Sequence, residues 1–261
     1  MNKLTGSEVL EQSNNALAQW GPRWEKNAEA NGRLYKMSKR RHRDLLFSGK
    51  GRTLVIVSMG AGLEDEMETL KEYQNYVDIA CVDKAFFYLM KHGIKPKYVV
   101  VADAMVSYED YAKPYINETK DITIIPNVTS NPEWSTHWQG PRYFYVNKDN
   151  IQTEVKFGNI SGCTEAIPAS SNVGNTVVVF CSQMMGYDKY LLVGYDFAWR
   201  TQGNYYAYQW GGPKRAYMKH RDYTVSSGDL YHTSNNLFFS GRWLAHYMTE
   251  LAQTGIDIRN C

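Results

Sequence analysis

Three aspartates each follow a run of apolar residues in this sequence. Asp83 and Asp103 come directly after two such runs, and Asp196 follows a third in the second half of the chain. A carboxylate at the buried end of a strand is unfavourable unless it meets a metal ion, a sugar hydroxyl or a cation. One such aspartate is often only a helix cap. Three of them favour a ligand site for magnesium or sugar hydroxyls, with Asp103 as a candidate catalytic residue and, if the protein needs magnesium, the metal ligand.

A second polar group, Ser170, Ser171 and Asn172, precedes an apolar segment that begins at Val173. Their hydroxyls and backbone amides are expected at the N-terminus of a helix, where the helix dipole favours a phosphate or a carboxylate. Capping of the helix accounts for one of the three residues and not for all of them. The group therefore predicts an anion-binding turn.

A glycine turn, Ser58-Met-Gly60-Ala-Gly62-Leu, follows the first strong apolar run. Glycine lets the backbone approach a ligand closely, so Gly60 and Gly62 are candidate nucleotide-binding residues. The turn lacks the third glycine of a dinucleotide fingerprint and the lysine of a P-loop. A tight strand-to-helix turn without a ligand is the alternative.

Among six histidines, His232 stands out because it lies just before the last predicted helix. A histidine that titrates near neutral pH can remove a proton from an acceptor hydroxyl, although a loop histidine is more often only solvated. It ends a stretch, about 199–236, that has no sustained hydrophobic period and is rich in glycine, tyrosine and tryptophan. That length and composition predict a lid or a binding loop.

The elements that must position these residues alternate between strands and helices. Apolar runs at 54–57, 79–82 and 98–102 are separated by helical patterns, and further strands are predicted at 122–126, 143–146 and 190–194. This alternation predicts an α/β fold, a Rossmann-like, mostly parallel sheet flanked by helices, with ligands at the carboxyl ends of the strands. A last helix from Leu237 to about Thr254 precedes a short closing strand.

The first part of the chain is predicted to be a helical extension, residues 1–52, followed by a Rossmann-like transferase domain, 53–261, that carries the aromatic-rich lid. Residues 7 to about 46 have helical spacing, and Gly21-Pro22 predicts a break between two helices. The basic run from Lys36 to Arg43 is interpreted as a solvated helix face, with a phosphate or nucleic-acid contact as the alternative.

Composition excludes several classes. The 29 basic and 27 acidic residues are nearly balanced, so no overall charge points to nucleic acid or to an anionic membrane. The four cysteines have no metal-binding spacing, and no apolar run is long enough to span a bilayer. The start of the sequence has no apolar signal-peptide core, so a cytoplasmic location is expected.

The order of these motifs resembles a known family. Trp24-Glu-Lys-Asn27 with Asn31, the segment IVSMGAGLEDEMETL, and His92-Gly-Ile-Lys-Pro96 before VVVADA resemble the MptE-like domain. This domain is shared by archaeal 6-hydroxymethylpterin diphosphokinases and the Maf flagellin-modification proteins. The resemblance extends to SSNVG and LLVGYDF and covers roughly residues 20–200.

The architecture is also similar to that of bacterial sialyltransferases that use CMP-sialic acid. That resemblance implies His232 as the catalytic base, Ser171 and its neighbours on the phosphate or the sugar carboxylate, and lid tyrosines such as Tyr205 or Tyr208 on the phosphate. Those enzymes have asparagines after the first two strands, where this sequence has Met59 and Asp83.

Three functions follow as hypotheses. The first is a glycosyltransferase that takes a nucleotide sugar as donor and a hydroxyl on a glycan, a protein or a modified nucleic-acid base as acceptor. The second is an MptE-like diphosphokinase, in which magnesium would neutralise the charge that develops as diphosphate passes from ATP to a pterin-type alcohol. The third is a non-catalytic nucleotide-binding module.

Overall fold

The computed structural model describes residues 6–148, 151–168, 170, 172–198, 207, 220–224 and 230–261. Its strands are β1 (Thr53–Val57), β2 (Asp78–Val82), β3 (Tyr98–Val101), β4 (Thr123–Pro126), β5 (Val146–Lys148), β6 (Ala166–Pro168), β7 (Lys189–Val193), β8 (His220–Thr224), β9 (Leu230–Ser234) and β10 (Asp257–Asn260). Six of them form one parallel sheet in the order β10-β7-β1-β2-β3-β4. The predicted α/β, Rossmann-like fold is confirmed.

The helices are α1 (Gly6–Met37), α2 (Leu63–Tyr73), α3 (Asp83–Lys91), α4 (Tyr108–Tyr111), α5 (Pro132–His137), α6 (Ile151–Ser161), α7 (Val173–Met184) and α8 (Asn235–Gln253). α3 and α7 pack on the central strands of the main sheet and α8 on β10, whereas α1 packs on α5 and α6. The central strands are buried. This is why β1 and β3 read as unbroken apolar runs, since a parallel strand buried on both sides has no polar face. No helix in the described part of the chain is long and apolar enough to cross a bilayer.

One helix, α1, replaces the two helices predicted on either side of Gly21-Pro22, so the predicted break is wrong. Proline lacks one amide and disfavours a helix interior by about 3 kcal/mol, but other contacts can outweigh that cost. After the proline, α1 packs on α6 through an edge-to-face contact of Trp24 with Phe157. Those tertiary contacts favour a continuous helix.

The basic run does not form one helix face, because only Lys36 lies in α1, which ends at Met37, and a short 3₁₀ turn begins at His42. His42 is buried, donates from Nε2 to Phe144 O at 3.0 Å, and lies edge-on to the ring of Phe180. Burial lowers the pKa of His42, and the nearby Glu165 carboxylate partly offsets this. The interpretation of the run as a solvated helix face is therefore wrong for His42, which anchors this turn to the core.

Two asparagines of α1 connect it to the loops that follow the strands. Asn27 Nδ2 donates to Thr129 O at 2.9 Å, and Asn31 Nδ2 donates to Val128 O and Ser130 O, both at 3.0 Å. Both side chains are buried. The resemblance singled out these asparagines, and their role here is to hold the loop after β4.

The amino ends of four strands of the main sheet are held together by one carboxylate. Asp78, the first residue of β2, accepts hydrogen bonds at Oδ2 from Arg52, Lys97 and Tyr187. Burial of the Tyr187 hydroxyl and its bond to Asp78 raise the pKa of Tyr187. Asp78 thus connects the starts of β1, β2, β3 and β7, far from the ligand-binding edge.

Two small pairs of strands complete the described fold. β5 pairs with β6 in parallel, apart from the main sheet. The strand predicted at 143–146 overlaps β5 only at Val146, and Arg142 and Tyr145 form single bridges to Ile124 and Asn127 instead of a continuous strand. β8 pairs with β9 antiparallel inside the predicted lid. The sequence of 199–236 predicts no regular elements, because the polar sequences of β8 and β9 have no hydrophobic period. Apart from these strands, Ala207 and the start of α8, the predicted lid lies outside the described residues.

Candidate functional site

A cavity of about 380 Å³ lies at the carboxyl ends of β1, β2, β3 and β7. The strand order reverses between β1 and β7, because β2, β3 and β4 follow on one side of β1 and β7 lies on the other. A parallel sheet binds its ligands in the crevice at such a reversal. The first turn of α7, Asn147 of β5 and Leu237 of α8 complete the lining.

Asp83 lines this cavity as the first residue of α3. Asp83 is 2% exposed; Oδ1 accepts a hydrogen bond from the Lys84 amide at 2.8 Å, while Oδ2 accepts no hydrogen bond of good geometry from the described residues. Burial raises the pKa of Asp83 to about 6, and the Asp103 carboxylate adds to the rise. The Lys84 ammonium and the amides of Lys84 and Ala102 act in the opposite direction.

The three predicted aspartates do not converge. Asp103 lines the cavity beside Asp83, and its Oδ1 accepts from the Met105 amide at 2.7 Å. Asp196 instead accepts at Oδ2 from the Gly62 amide at 2.8 Å and is not among the lining residues. A ligand role for Asp196 stays a prediction.

The glycine turn packs against the end of β7. A Cβ on Gly60 would overlap Asp196 Oδ2 and Gly194 O, and a Cβ on Gly62 would lie 2.6 Å from Asp196 Oδ1. The Gly60 amide donates to Gly194 O at 2.8 Å. Close approach of two backbone segments is thus one reason for both glycines, and only Gly60 also lines the cavity. Nucleotide binding by Gly60 and Gly62 stays a prediction.

The predicted anion-binding turn lies at the N-terminus of α7. Asn172 caps the helix by accepting from the Asn175 amide at 2.9 Å, and the Ser170 hydroxyl lies 2.6 Å from Thr176 Oγ1. Ser170, Asn172 and Thr176 line the cavity, so a twelve-residue helix directs its positive end toward it. Ser171 lies outside the described residues.

Asn147 and Phe197 are among the lining residues that sequence reasoning missed. Asn147 comes from β5, outside the main sheet, and its Oδ1 is buried without a hydrogen-bond partner among the described residues. Phe197 has a φ of 51°, a left-handed conformation that is strained for a bulky residue. Its carbonyl accepts from the Thr233 hydroxyl. The GYDF motif marked the position of Phe197, but nothing in the sequence marked Asn147.

The lid carries the remaining predicted residues. His232 lies in β9 opposite Asp222, and its neighbour Thr233 bonds to Phe197, which lines the cavity. The side chain of His232 is outside the description, as are Tyr205 and Tyr208. Ala207, between these tyrosines, is buried and donates its amide to Met59 O at 3.0 Å. Their roles stay predictions.

The donor set for a metal ion is small. No group of three His, Cys, Asp or Glu side chains in the described ranges could hold a metal ion. Asp83 and Asp103 are two neighbouring carboxylates, which is a set that Mg²⁺ accepts when phosphate oxygens supply other ligands. The residues therefore fit magnesium only together with a bound phosphate.

The sequence matches the family model described as 6-hydroxymethylpterin diphosphokinase MptE-like over residues 29–202, two thirds of the chain. The chain belongs to this MptE-like family. The suspected family is thus confirmed. No curated protein matches this MptE-like chain by sequence.

Two solved structures are similar to parts of this chain. The Maf glycosyltransferase from Magnetospirillum magneticum AMB-1 is similar with a TM-score of 0.60 and 17% identity, covering 86% of this chain and 35% of that one. This MptE-like chain thus spans about a third of the length of that structure. A mammalian sialyltransferase in complex with Gal-beta-1-3GalNAc-ortho-nitrophenol aligns over 80% of this chain and 69% of that one, with a TM-score of 0.40 and 15% identity. The Maf likeness shows that the fold is one that a glycosyltransferase uses.

Proposed function

We propose that this protein is a glycosyltransferase that binds a nucleotide sugar at the carboxyl ends of the strands and transfers the sugar to a hydroxyl acceptor. The observation that carries the proposal is the cavity at the strand-order reversal, with the N-terminus of α7 on its wall. That helix end favours the phosphates of a nucleotide. The fold shared with the Maf glycosyltransferase agrees with this assignment.

The lid supplies the proposed base. His232 would accept the proton of the acceptor hydroxyl as the hydroxyl oxygen attacks the anomeric carbon, and the nucleotide would leave with the bonding electrons. Two contacts support a location near the cavity: Thr233 bonds to Phe197, and Ala207 bonds to Met59. Closure of the lid would exclude water and protect the donor from hydrolysis.

The second candidate is diphosphate transfer from ATP to a pterin-type alcohol. The family description and the neighbouring carboxylates of Asp83 and Asp103 favour it. With a nucleotide bound, these two aspartates would hold Mg²⁺, which would neutralise charge on the transferred group. The two candidates differ in their nucleotide product and in their need for metal.

Nucleotide release separates them. The protein is incubated with CMP-, UDP- and GDP-sugars, and separately with ATP and a pterin alcohol, each with and without EDTA. Release of CMP, UDP or GDP that persists in EDTA supports the glycosyltransferase and contradicts the kinase. AMP that forms only with magnesium supports the kinase and contradicts the glycosyltransferase.

The base is tested by His232→Ala. We expect transfer to fall about 10²- to 10⁴-fold, the usual contribution of a general base, while the Kd of the nucleotide stays the same. His246→Ala is the matched control, because its side chain is 77% exposed on α8 and outside the cavity lining. Equal transfer by the two variants would remove His232 from the mechanism.

A further inference from the structure

Residues 36–50, the basic strap, carry a concentration of positive charge that the proposed function does not use. The whole chain has a formal net charge of only +2, so the chain outside the strap is net negative. Asp44 is the one carboxylate of the strap, and Asp188 lies just beyond it, bonded to the Gly51 amide at 3.1 Å. Such an asymmetric charge orients the strap toward an anionic partner. The six cations of the strap are Lys36, Lys39, Arg40, Arg41, Arg43 and Lys50.

The charges of these cations are not neutralised inside the protein. None of the six forms an ion pair with a carboxylate in the part of the chain that the structure describes. Arg40 lies over the ring of Tyr143 at 5.8 Å, and Arg41 lies over the ring of Tyr35 at 4.4 Å. These ring contacts hold both guanidinium groups in place and leave them charged. The other four cations are exposed.

Large apolar side chains are exposed among these cations. Met37 is 80% exposed and Phe47 is 70% exposed, and Leu46 is exposed as well. The strap is anchored on its other side, because His42 and Leu45 are buried. The exposed apolar side chains are therefore left outside a segment that is firmly packed, which marks a surface for an apolar partner.

Two successive turns place charged and apolar side chains together. The Leu46 amide donates to Arg43 O at 3.3 Å, and the Lys50 amide donates to Phe47 O at 3.2 Å. These four residues, all exposed, lie within eight positions of the chain and form one patch. An anionic bilayer accepts both kinds of side chain, cations at its headgroups and apolar groups at the acyl boundary. A nucleic acid would pair with the cations but has no place for the aliphatic Leu46.

The backbone of Phe47 is strained. Its φ is 55°, a left-handed conformation that is unfavourable for a bulky residue. One edge of the ring lies against Gly186, where a Cβ would be 2.9 Å from Phe47 Cδ1, and most of the ring stays exposed. Packing in the core does not account for a ring that is strained and exposed at once. An apolar partner outside the protein does.

The patch lies at the far end of α7 from the cavity. Val173, the first residue of α7, lines the cavity, whereas Met184, the last, accepts at its carbonyl from the Phe47 amide at 3.2 Å. The twelve residues of this helix span about 18 Å. A surface bound at the patch therefore lies away from the cavity.

We propose that the basic strap binds this protein to an anionic lipid bilayer, with Leu46 and Phe47 in the headgroup region and Arg43 and Lys50 at lipid phosphates. The binding is independent of the reaction proposed for the cavity. Each cation close to an anionic bilayer strengthens binding about fivefold. Burial of a phenyl ring strengthens it about tenfold or more.

Sedimentation with lipid vesicles tests this binding in the intact protein. Vesicles of phosphatidylcholine and phosphatidylglycerol in equal parts are compared with vesicles of phosphatidylcholine alone, at low and at high salt. We expect binding to the anionic vesicles to be about tenfold tighter or more, and to weaken as salt screens the charges. Equal binding to both kinds of vesicle, or none to the anionic vesicles at low salt, refutes the proposal.

The apolar contribution is tested by Phe47→Asn. Asparagine tolerates a positive φ, so the variant removes the ring and keeps the backbone, which a thermal melt checks. We expect it to bind anionic vesicles about tenfold more weakly. Met105→Ser is the control, because Met105 is also exposed but follows Asp103 at the cavity end of the sheet; its binding should stay at the wild-type value. Wild-type binding by Phe47→Asn refutes insertion of the ring.

The electrostatic contribution is tested by Lys50→Gln, which should weaken binding about fivefold. Lys113→Gln removes the same charge outside the strap, from a lysine that lies 2.6 Å from Glu109, and should have a clearly smaller effect. Equal effects would show that binding follows the net charge and would refute a role for the strap. Labelled single- and double-stranded oligonucleotides are the rival ligand. Oligonucleotide binding that Lys50→Gln weakens, without vesicle binding, assigns the strap to nucleic acid and refutes the bilayer.

Discussion

Replacing Asp83 by Asn is expected to stabilise the protein without ligand. Burial raises the pKa of this carboxyl from 3.8 to about 6, so the folded state binds a proton more tightly than the unfolded state does. The contribution of Asp83 to the free energy of unfolding is therefore fully present below about pH 4, where the carboxyl is protonated, and is lost as the pH rises through about 6. The difference in pKa corresponds to about 3 kcal/mol at pH 7.

The variant removes this pH dependence. Asn keeps the acceptor for the Lys84 amide but has no charge to desolvate, although its own amide hydrogens lower the gain. We expect the free energy of unfolding of Asp83→Asn to exceed that of the wild type by about 1–3 kcal/mol at pH 7. In a domain of this size that is a rise in Tm of roughly 3–10 °C.

Urea unfolding from about pH 4 to 7.5 measures the effect. The quantity to follow is the free energy of unfolding of the variant minus that of the wild type. Burial lowers the pKa of His42, so this residue makes the folded state less stable as the pH falls. Its contribution is the same in both proteins and cancels in the difference. That difference should grow by about 2.4 kcal/mol between pH 4 and 7, because the unfolded state is already partly ionised at pH 4. A difference that is constant, or that grows as the pH falls, would refute a buried carboxylate that is destabilised by burial.

Two further predictions concern the fold. Asp78→Ala should lower the free energy of unfolding in urea by about 2 kcal/mol, because Tyr187 and two cations lose their common acceptor. Asp257→Ala, which removes surface ion pairs with Lys189 and Arg259, should have a clearly smaller effect; equal effects would contradict the role of Asp78. Gly60→Ala should lower the free energy of unfolding by about 3 kcal/mol, because its Cβ would overlap Asp196 Oδ2 and Gly194 O. Gly158→Ala in α6 should cost clearly less, because its Cβ would lie 3.3 Å from the single nearby atom, Cys163 O; equal losses in a thermal melt would contradict the close packing at Gly60.

Much of the fold could be predicted because its signals are local. β1 and β3 are apolar on both faces, as covered parallel strands are, and Asn172 caps α7 where a polar residue precedes an apolar helix. The prediction failed at Pro22, where propensity favoured a break and the packing of Trp24 on Phe157 favours a continuous helix. The polar strands β8 and β9 were also missed, because backbone hydrogen bonds pair them and no hydrophobic period in the sequence marks them.

The sequence by itself determined the parallel sheet, the turn before α7 and the edge at which a ligand is expected, because each depends on residues that are neighbours in the chain. Only the tertiary structure decided which polar groups share the cavity. Asp196 bonds to Gly62, 134 residues away, and leaves the cavity, while Asn147 enters it from a separate pair of strands. The raised pKa of Asp83 is likewise a consequence of burial, which depends on contacts distant in sequence.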